Sequence, residues 1–402
     1  MVWQKIRSRI LFVLISQAQS TPSFEVTEEQ RAIGRLAAEF AQREIAPHIA
    51  LWDREHTFPR GLYSKLSDAG IMGILVDEAF GGVAADYISY ALAIEELAKV
   101  DAGTAVTVSV HSMIAAAIAQ FGTDRQKAKY LPALAGGDMI AGFALTEPDA
   151  GSDAGNIRAS ARRTDQGYVL NGRKQWCTNG SYSGVVMAMF RTGAAGYHGI
   201  SAFLVDNDTR GLQVEKVTEK LGIHTSNTCD LAFDDALVPS DALLGNEGQG
   251  FSGALTALQS GRIGIAAQAC GILCACLDAS LSFAKEREAF GKPIGAFEGI
   301  SFKIAQMALD LDAARLLTYK AASLCDRGLP FAIAASKAKL FASTAARKHA
   351  SEAIQVHGGY GFTTEFPVER YYRDAKITEI YEGTSEIQQL IIARSLLGKL
   401  EW

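Results

Sequence analysis

The chain has 402 residues, of which 48% are hydrophobic and 21% are charged, a composition typical of a globular protein. A chain of this length can bury a large core and can form two or three domains. Its formal net charge of −5 provides no overall basic surface for nucleic acid, so the composition argues against a nucleic-acid-binding protein.

The first 24 residues form an N-terminal extension (1–24) that we exclude from the fold. Lys5, Arg7 and Arg9 precede an apolar run at residues 10–15, and no acidic residue occurs before Glu25. The run is too short to span a bilayer. It suits a weak signal peptide, an organellar transit segment or translation from an upstream start codon. We expect a bacterial cytoplasmic protein, or a mitochondrial matrix protein if the extension is a transit segment, and no membrane span elsewhere.

Residues 25–138 predict an N-terminal helical domain. Thr27 and Gln30 have the spacing of a capping box, which starts a helix. Apolar residues then recur at helical intervals, for example at Ile33, Leu36 and Phe40.

Residues 139–245 predict a middle β-barrel domain. Apolar runs become short and are separated by turn residues, such as the Asn171-Gly172 pair. Predicted strands include residues 168–170, 185–190, 200–205 and 231–233. Short strands at regular spacing favour a small sandwich or barrel.

Residues 246–402 predict a C-terminal four-helix bundle, because the helical period returns in long blocks, two of whose connections are short. The blocks cover residues 248–286, 299–327, 330–357 and 383–399. The fold class is therefore α+β, with helices at both ends of the chain and strands between them.

The cysteines do not predict a disulfide framework or a metal site. They are Cys177, Cys229, Cys270, Cys274, Cys276 and Cys325. No two have CxxC spacing, and no His or Cys partner stands at metal-ligand spacing. We expect buried, reduced thiols and no metal.

A turn rich in Gly, Ser, Asp and Thr follows a predicted strand at residues 143–155. It exposes hydroxyls and free backbone amides, which suit a polar cofactor ring or a phosphate. A tight connection between strands is the alternative.

Trp176 and Thr178 are two residues apart, which places them on one face of a strand. The indole offers a flat surface and the hydroxyl a hydrogen bond, so the pair could shield and hold a planar cofactor. A core tryptophan beside a surface threonine is the alternative.

Two further candidates follow predicted bundle helices. Arg287 is suited to bidentate phosphate contacts, and Gly358 and Gly359 allow positive φ and close approach of a ligand. Without a ligand, these would be a basic residue at a helix end and a helix C-terminus with its loop.

Glu382 stands between Tyr381 and Gly383, after a charged helical run and before an apolar helix. This placement could bury a carboxylate on a sharp bend, where burial raises its pKa toward that of a base at neutral pH. A solvated glutamate at a helix end is the alternative.

Together, in this order, these segments resemble the acyl-CoA dehydrogenase family from about residue 25 to 400. Residues 146–155 and 355–374 resemble the two signature segments of the family. Residues 221–228, Leu-Gly-Ile-His-Thr-Ser-Asn-Thr, and 260–266, Ser-Gly-Arg-Ile-Gly-Ile-Ala, resemble its short-chain, butyryl-CoA dehydrogenase-like branch.

The resemblance implies the same three domains, non-covalent FAD and a homotetramer built as a dimer of dimers. It assigns the catalytic base to Glu382. From the middle domain, the flavin contacts that it implies are Leu145, Thr146, Ser152, Trp176 and Thr178. It also implies cofactor contacts at Phe143 and Phe290. Contacts to the adenosine-pyrophosphate half, from the neighbouring subunit, are Arg287, Gln355, Gly358 and Gly359. Thr384 and Glu386 would lie along the flavin's phosphates, and Ser152, Arg262 and Gly383 would contact the substrate.

The chain departs from the family pattern at three positions. Glu298 replaces a common Gln, and its charge would repel a pyrophosphate, so we do not expect a contact there. Cys177 replaces an aliphatic residue. Some branches place the base at the position of Gly261, which leaves Glu382 as the candidate here.

The implied reaction is α,β-dehydrogenation of an acyl-CoA thioester to the trans-2-enoyl-CoA. In the family, the backbone N–H of the base and a ribityl hydroxyl of the flavin polarise the thioester oxygen. Electrons would pass to an electron-transferring flavoprotein. An acyl-CoA oxidase that uses O2 and a non-catalytic flavoprotein on the same scaffold are the alternatives.

Overall fold

The computed structural model describes residues 26–398, apart from the side chains of residues 251–256. The predictions for residues 1–24 therefore lie outside the described residues. The chain forms helices, then a sheet, then helices, as the sequence predicted. The helices of the first region are α1 (Glu28–Phe40), α2 (Ile49–Glu55), α3 (Arg60–Asp68), α4 (Tyr87–Val100), α5 (Ala102–Phe121) and α6 (Asp124–Ala135).

Helix α1 begins with the predicted capping box. The Gln30 amide donates to Thr27 Oγ1 at 3.2 Å, and the Thr27 amide donates to Gln30 Oε1 at 2.8 Å. Phe40 is buried as its periodic position predicts, whereas Leu36 is 45% exposed. The helix continues into a π-helical turn, Ala41–Ile45.

Helix α5 lies in the centre of the core. Asp101 caps it by accepting hydrogen bonds from the amides of Gly103 at 3.0 Å and Thr104 at 2.9 Å. The same carboxylate accepts a hydrogen bond from the Thr225 hydroxyl at 2.7 Å, so the cap also holds a loop of the middle region.

Within residues 26–398, two helical segments are long and apolar enough to cross a membrane, namely Ala102–Phe121 and Ala257–Glu286. The sequence reasoning expected no such segment. In the structure, 89% of the most apolar stretch of the first segment and 83% of that of the second are buried inside the fold. Their apolar composition is therefore explained by their position in the protein core.

The middle region is one sheet. Its strands are β1 (Ala141–Ala144), β2 (Ser160–Thr164), β3 (Gly167–Thr178), β4 (Val185–Arg191), β5 (Ile200–Asp206), β6 (Leu212–Val217), β7 (Thr228–Val238) and β8 (Leu243–Leu244). Strand β1 pairs with both β3 and β4, and β2 pairs with both of them as well, so the sheet closes on itself. The prediction missed β2 and β6, and five of the six residues of β6 are exposed, so this strand has no buried face.

The barrel has a core of its own, separate from the helical core. Phe190 packs edge-on against Phe203 and Phe233, and Cys177 on β3 lies opposite Cys229 on β7. All six cysteines are free thiols, and burial raises the pKa of Cys177. Replacing an aliphatic residue by Cys177 therefore keeps a buried, unreactive side chain.

The third region is helical. Its helices are α7 (Gly250–Glu286), α8 (Glu298–Asp326), α9 (Ala332–His357), α10 (Val368–Ile377) and α11 (Ser385–Leu397). Helices α7, α8, α9 and α11 correspond to the four predicted blocks, and α10 corresponds to the charged helical run expected before Glu382. The prediction missed the short hairpin of β9 (Glu288–Ala289) and β10 (Lys292–Pro293). Helix α7 packs against α4 and α5 as well as α9, so the first and third regions share one hydrophobic core.

Candidate active site

The loop between α10 and α11 carries Glu382 on a bend. Glu382 has φ 54° and Gly383 has φ 90°, two consecutive left-handed residues. This conformation suits glycine but is uncommon for other residues, so the surrounding structure must hold it. Thr384 then caps α11 by accepting a hydrogen bond from the Ile387 amide at 3.3 Å.

Two side chains hold the carbonyl groups of this loop. Gln388 Nε2 donates to the carbonyl oxygens of Glu382 at 3.2 Å and Gly383 at 2.9 Å. Lys339 Nζ, from α9, donates to the Gly383 carbonyl at 2.8 Å. A Cβ atom on Gly383 would lie 2.6 Å from Gln388 Nε2, so the loop is also tightly packed.

The carboxyl group of Glu382 is enclosed without being satisfied. Its Oε2 atom is buried and has no hydrogen-bond partner. Burial raises the pKa of Glu382 to about 7, against the opposing effect of the positive charges of Arg262 and Lys339. A carboxylate with this pKa can accept a proton at neutral pH.

Gly261 on α7 lies directly opposite this carboxyl group. A Cβ atom at position 261 would lie 2.8 Å from Glu382 Oε2 and 2.9 Å from Met113 Sδ. The position that carries the base in some branches of the resembled family therefore adjoins Glu382 in space. Because only glycine lacks a Cβ atom, Gly261 leaves room for the carboxyl group.

Two buried cations stand near Glu382. Arg262 is 6% exposed, donates to Ser336 Oγ at 3.4 Å and has a buried Nε without a partner. Burial lowers the pKa of Arg262. Sequence reasoning proposed Arg262 as a substrate contact but missed Lys339, which is fully buried. Its spacing from Ala335 and Ala342 on the apolar face of α9 was the available signal.

Tyr381 ties the loop to the helical core. Its hydroxyl donates to Gln268 Oε1, and Gln268 Nε2 donates to the Ala102 carbonyl at 2.7 Å. One turn after Gly261, a Cβ atom on Gly264 would lie within 2.3 Å of the hydroxyl groups of Tyr90 and Ser109. Helices α4, α5 and α7 therefore meet tightly close to the carboxyl group.

A second cluster of predicted residues lies on one edge of the barrel. Phe143 on β1 pairs in register with Thr178 on β3, and the Gln175 amide donates to the Thr146 carbonyl at 2.8 Å. Trp176 is 58% exposed, has φ 55° and sits at a β-bulge, with its amide donating to Asp230 Oδ1 at 3.1 Å. The structure thus places an exposed indole on the same barrel edge as Thr146 and Thr178.

A buried ion pair fixes this edge, and sequence reasoning missed it. Lys174 Nζ lies 2.6 Å from Glu147 Oε1 and donates to the Leu145 carbonyl at 3.2 Å. The carboxylate of Glu147 also accepts hydrogen bonds from the amides of Arg158 at 2.6 Å and Ala159 at 3.0 Å. Every oxygen of the carboxylate is therefore satisfied, and the segment before and after Thr146 is held against β3.

Comparison with known proteins decides the family. Three sequence models match: the N-terminal domain of acyl-CoA dehydrogenase at residues 27–138, the middle domain at 142–236 and the C-terminal domain at 248–397. The chain belongs to the acyl-CoA dehydrogenase family. It is thus a flavin-dependent oxidoreductase, and the resemblance and the fold class that the sequence predicted are confirmed.

Relatives of the acyl-CoA dehydrogenase family match along nearly their whole length. An acyl-CoA dehydrogenase of Bacillus subtilis is 48% identical over 375 residues, 93% of this chain and 99% of the relative. The structure of butyryl-CoA dehydrogenase from Megasphaera elsdenii has a TM-score of 0.92 and 43% identity, with 94% of this chain and all of that chain covered. A chain from structural work on the electron transferring flavoprotein of Acidaminococcus fermentans has a TM-score of 0.93 and 43% identity, with 94% and 100% covered.

The structure brings two further family segments together on the surface. Arg287 ends α7, and its guanidinium carbon lies 5.5 Å from the centre of the Tyr360 ring, beside Gly358 and Gly359. Gly358 has φ 59°, the positive value expected after a helix. Arg287, Gln355, Gly358 and Gly359 are all exposed.

Phe290 occupies the tip of the β9–β10 hairpin. It is 96% exposed and has φ 52°, followed by Gly291 with φ 80°. Glu298 is exposed at the first residue of α8, where the helix N-terminus favours its negative charge.

The remaining predicted residues lie close to the two clusters in sequence. Leu145 is half-buried before Thr146, and Ser152 is exposed in the turn that follows. Glu386 is exposed in the first turn of α11, where its own backbone amide and the Thr384 hydroxyl lower its pKa. A flavin fits the barrel edge chemically, because the exposed indole offers a stacking surface and the threonines offer hydrogen bonds.

Proposed function

We propose that this protein catalyses α,β-dehydrogenation of an acyl-CoA thioester to the trans-2-enoyl-CoA, with Glu382 as the base. The buried, unpartnered carboxyl group of Glu382 is the observation that carries this proposal. An α-C–H group is a very weak acid, so it needs a base that is desolvated and close to neutral pKa together with donors at the thioester oxygen.

The bend at Glu382 serves both needs. Oε2 is free to take the α-proton. No hydrogen bond among residues 26–398 uses the backbone N–H of Glu382, so this group is available to donate to the thioester oxygen. The charges of Arg262 and Lys339 create a positive field that favours negative charge developing on the substrate.

We propose non-covalent FAD as the cofactor. Phe143, Leu145, Thr146, Ser152, Trp176, Thr178 and Phe290 would hold the flavin, and Arg287, Gln355, Gly358 and Gly359 of a neighbouring subunit would hold the adenosine-pyrophosphate half, with Thr384 and Glu386 along the phosphates. Bound flavin would accept the β-hydrogen as hydride. The exposed indole of Trp176 supports this assignment, since a large aromatic side chain seldom faces solvent without a partner.

We propose a short-chain acyl-CoA as the substrate. The short-chain specific acyl-CoA dehydrogenase of Megasphaera elsdenii, which is 43% identical to this chain over 380 residues, supports this proposal. Ser152, Arg262 and Gly383 are the proposed substrate contacts. Anaerobic bleaching of the flavin by a series of straight-chain acyl-CoAs should be fastest with short chains and fall as the chain lengthens.

We also propose a homotetramer, a dimer of dimers. Phe302, Leu309 and Leu316 form an apolar stripe at seven-residue spacing on α8, and each is more than half exposed. Exposed apolar patches of this kind mark sites of association. Light scattering after size exclusion should report four copies, and Leu309→Glu should reduce that number.

The proposed electron acceptor is an electron-transferring flavoprotein. The matching chain from work on such a flavoprotein supports this proposal. Slow reoxidation of the reduced protein in air, measured by stopped flow, is the expected result. Rapid reoxidation by O2 would instead favour an acyl-CoA oxidase.

Glu382→Gln tests the assignment of the base. The amide keeps the shape of the side chain but cannot accept the α-proton, so turnover should be almost abolished while flavin content and binding of a CoA ligand remain. Glu365→Gln, at an exposed position, is the matched control and should retain turnover. Activity of Glu382→Gln within about tenfold of wild type, roughly 1.4 kcal/mol in barrier, would overturn the assignment.

A further inference from the structure

Lys339 is a buried cation beside the loop that carries the proposed base. It lies on α9 with its side chain fully buried, and its only hydrogen bond among the described residues goes to the Gly383 carbonyl at 2.8 Å. An ammonium group can donate three hydrogen bonds, and burying its charge is costly unless the charge is compensated. The free-energy cost of burying this charge suggests that Lys339 has a function in the site.

The groups around Lys339 show what compensates the charge. Burial lowers the pKa of Lys339 to about 8, and the charge of Glu382 is the largest influence in the opposite direction. Arg262 repels the ammonium group, and Glu379 and Glu386 attract it more weakly. The principal electrostatic partner of Lys339 is therefore the proposed base.

We propose that Lys339 is a positioning residue for the base: it holds the Gly383 carbonyl, and its charge favours the ionised form of Glu382. The inference rests on the proposed function, in which Glu382 accepts the α-proton. Lys339 acts on Glu382 through the backbone of the loop and through space, without touching the substrate.

Gln388 separates the two parts of this role. It donates to the same Gly383 carbonyl at 2.9 Å and to the Glu382 carbonyl at 3.2 Å, but it carries no charge. Removing Gln388 should disturb the loop without changing the charge near Glu382. Removing Lys339 should do both.

The sign of the pH effect follows from the charge. The titratable groups that interact with Glu382 are Arg262 on α7, Lys339 on α9 and the hydroxyl groups of Tyr90 on α4 and of the adjacent Tyr381. Without Lys339, the ionised form of Glu382 loses one of its two compensating cations, so its pKa rises further above about 7. Since the base must be ionised to work, the acidic limb of the activity profile should move to higher pH.

The test is the pH dependence of kcat/KM of the holoenzyme with a short-chain acyl-CoA, in four variants beside wild type. Lys339→Met should move the acidic limb upward by about one pH unit or more, and Lys339→Arg should restore most of its position. Gln388→Met should lower activity at every pH without moving the limb. Lys337→Met, at an exposed position on the same helix, should leave the profile unchanged.

A readout without turnover comes from infrared titration of the Glu382 carboxyl group, identified by its loss in Glu382→Gln. The band should titrate at higher pH in Lys339→Met than in wild type. If Lys339→Met does not fold, Lys339→Gln removes the same charge and should show the same shift. An acidic limb and a carboxyl titration within about 0.3 pH unit of wild type would overturn the inference. High activity of Glu382→Gln would instead overturn the proposed function.

Discussion

Buried carboxyl groups have opposite surroundings in two regions of the molecule. One region is the barrel edge around Glu147, and the other is the base loop, the segment between α10 and α11 that carries Glu382. On the barrel edge, Glu147 and Lys174 form a 2.6 Å ion pair, and backbone amides satisfy the remaining positions of the carboxylate. In the base loop, Glu382 forms no hydrogen bond at Oε2, although two buried cations stand near it. The Glu147 carboxylate therefore has all its hydrogen-bond partners, whereas Oε2 of Glu382 has none.

This difference in hydrogen bonding distinguishes a structural carboxylate from one that can take part in a reaction. A satisfied ion pair holds the backbone segments around it in place, so it suits a rigid platform for a cofactor. An enclosed carboxyl group without partners has its pKa near neutrality and can change protonation state during a reaction. The same residue types, Glu and Lys, therefore serve different purposes according to the partners that the fold supplies.

The largest expected effect on stability comes from breaking the satisfied pair. Lys174→Met leaves the Glu147 carboxylate buried without its cation, so the free energy of unfolding should fall by about 3–5 kcal/mol. Denaturant unfolding measures this change. Arg173→Met is the matched control, because Arg173 forms an exposed ion pair with Glu215 and its loss should cost less than about 1 kcal/mol. Equal losses of unfolding free energy in the two variants would show that the buried pair does not stabilise the barrel edge more than an exposed pair does.

An intermediate effect, on activity, is expected when a methyl group fills the space between Gly261 and Glu382. In Gly261→Ala the added methyl group would lie 2.8 Å from Glu382 Oε2, so it must displace the base. We expect kcat/KM to fall at least about tenfold while most of the stability remains, because a small misplacement of a catalytic group is costly for rate. In the control Gly299→Ala the added methyl group meets no atom within 4 Å, and activity should not change. Unchanged activity of Gly261→Ala would place the working carboxyl group elsewhere.

The smallest effect concerns the end of the base loop. Thr384→Ala removes the side-chain cap of α11, which should lower the free energy of unfolding by about 1 kcal/mol. Thr384→Ser keeps the hydroxyl group and should restore most of that loss. Thermal denaturation of the three proteins makes the comparison, and a Ser variant as unstable as the Ala variant would show that the methyl group, not the cap, is responsible.

Much of the architecture was predictable from local patterns. The capping box at Thr27 and the long apolar helices leave periodic signals, and the family segments identify the scaffold. Strand β6 was missed for a physical reason. Five of its six residues are exposed, so its short sequence marks no buried face of a sheet.

The site was predictable in part. Glu382 and Trp176 lie in segments that resemble those of the family. Both have left-handed backbone conformations, with the Trp176 side chain exposed and Oε2 of Glu382 buried. The partners that determine their chemistry come from distant parts of the chain. No local pattern pairs Lys174 with Glu147 or sets Lys339 against the Gly383 carbonyl.

The sequence by itself determined the order of helices and strands, the family and the identity of the candidate base. The order of elements follows from short-range periodicity, whereas the family and the candidate base follow from the resemblance of several segments to those of a known family. Only the tertiary structure decided that the first and third regions share one core, that Gly261 faces Glu382, and that Lys339 is buried beside the base loop. The physical reason is that burial, and with it the pKa of a carboxyl group, depends on which side chains the fold brings together from distant positions.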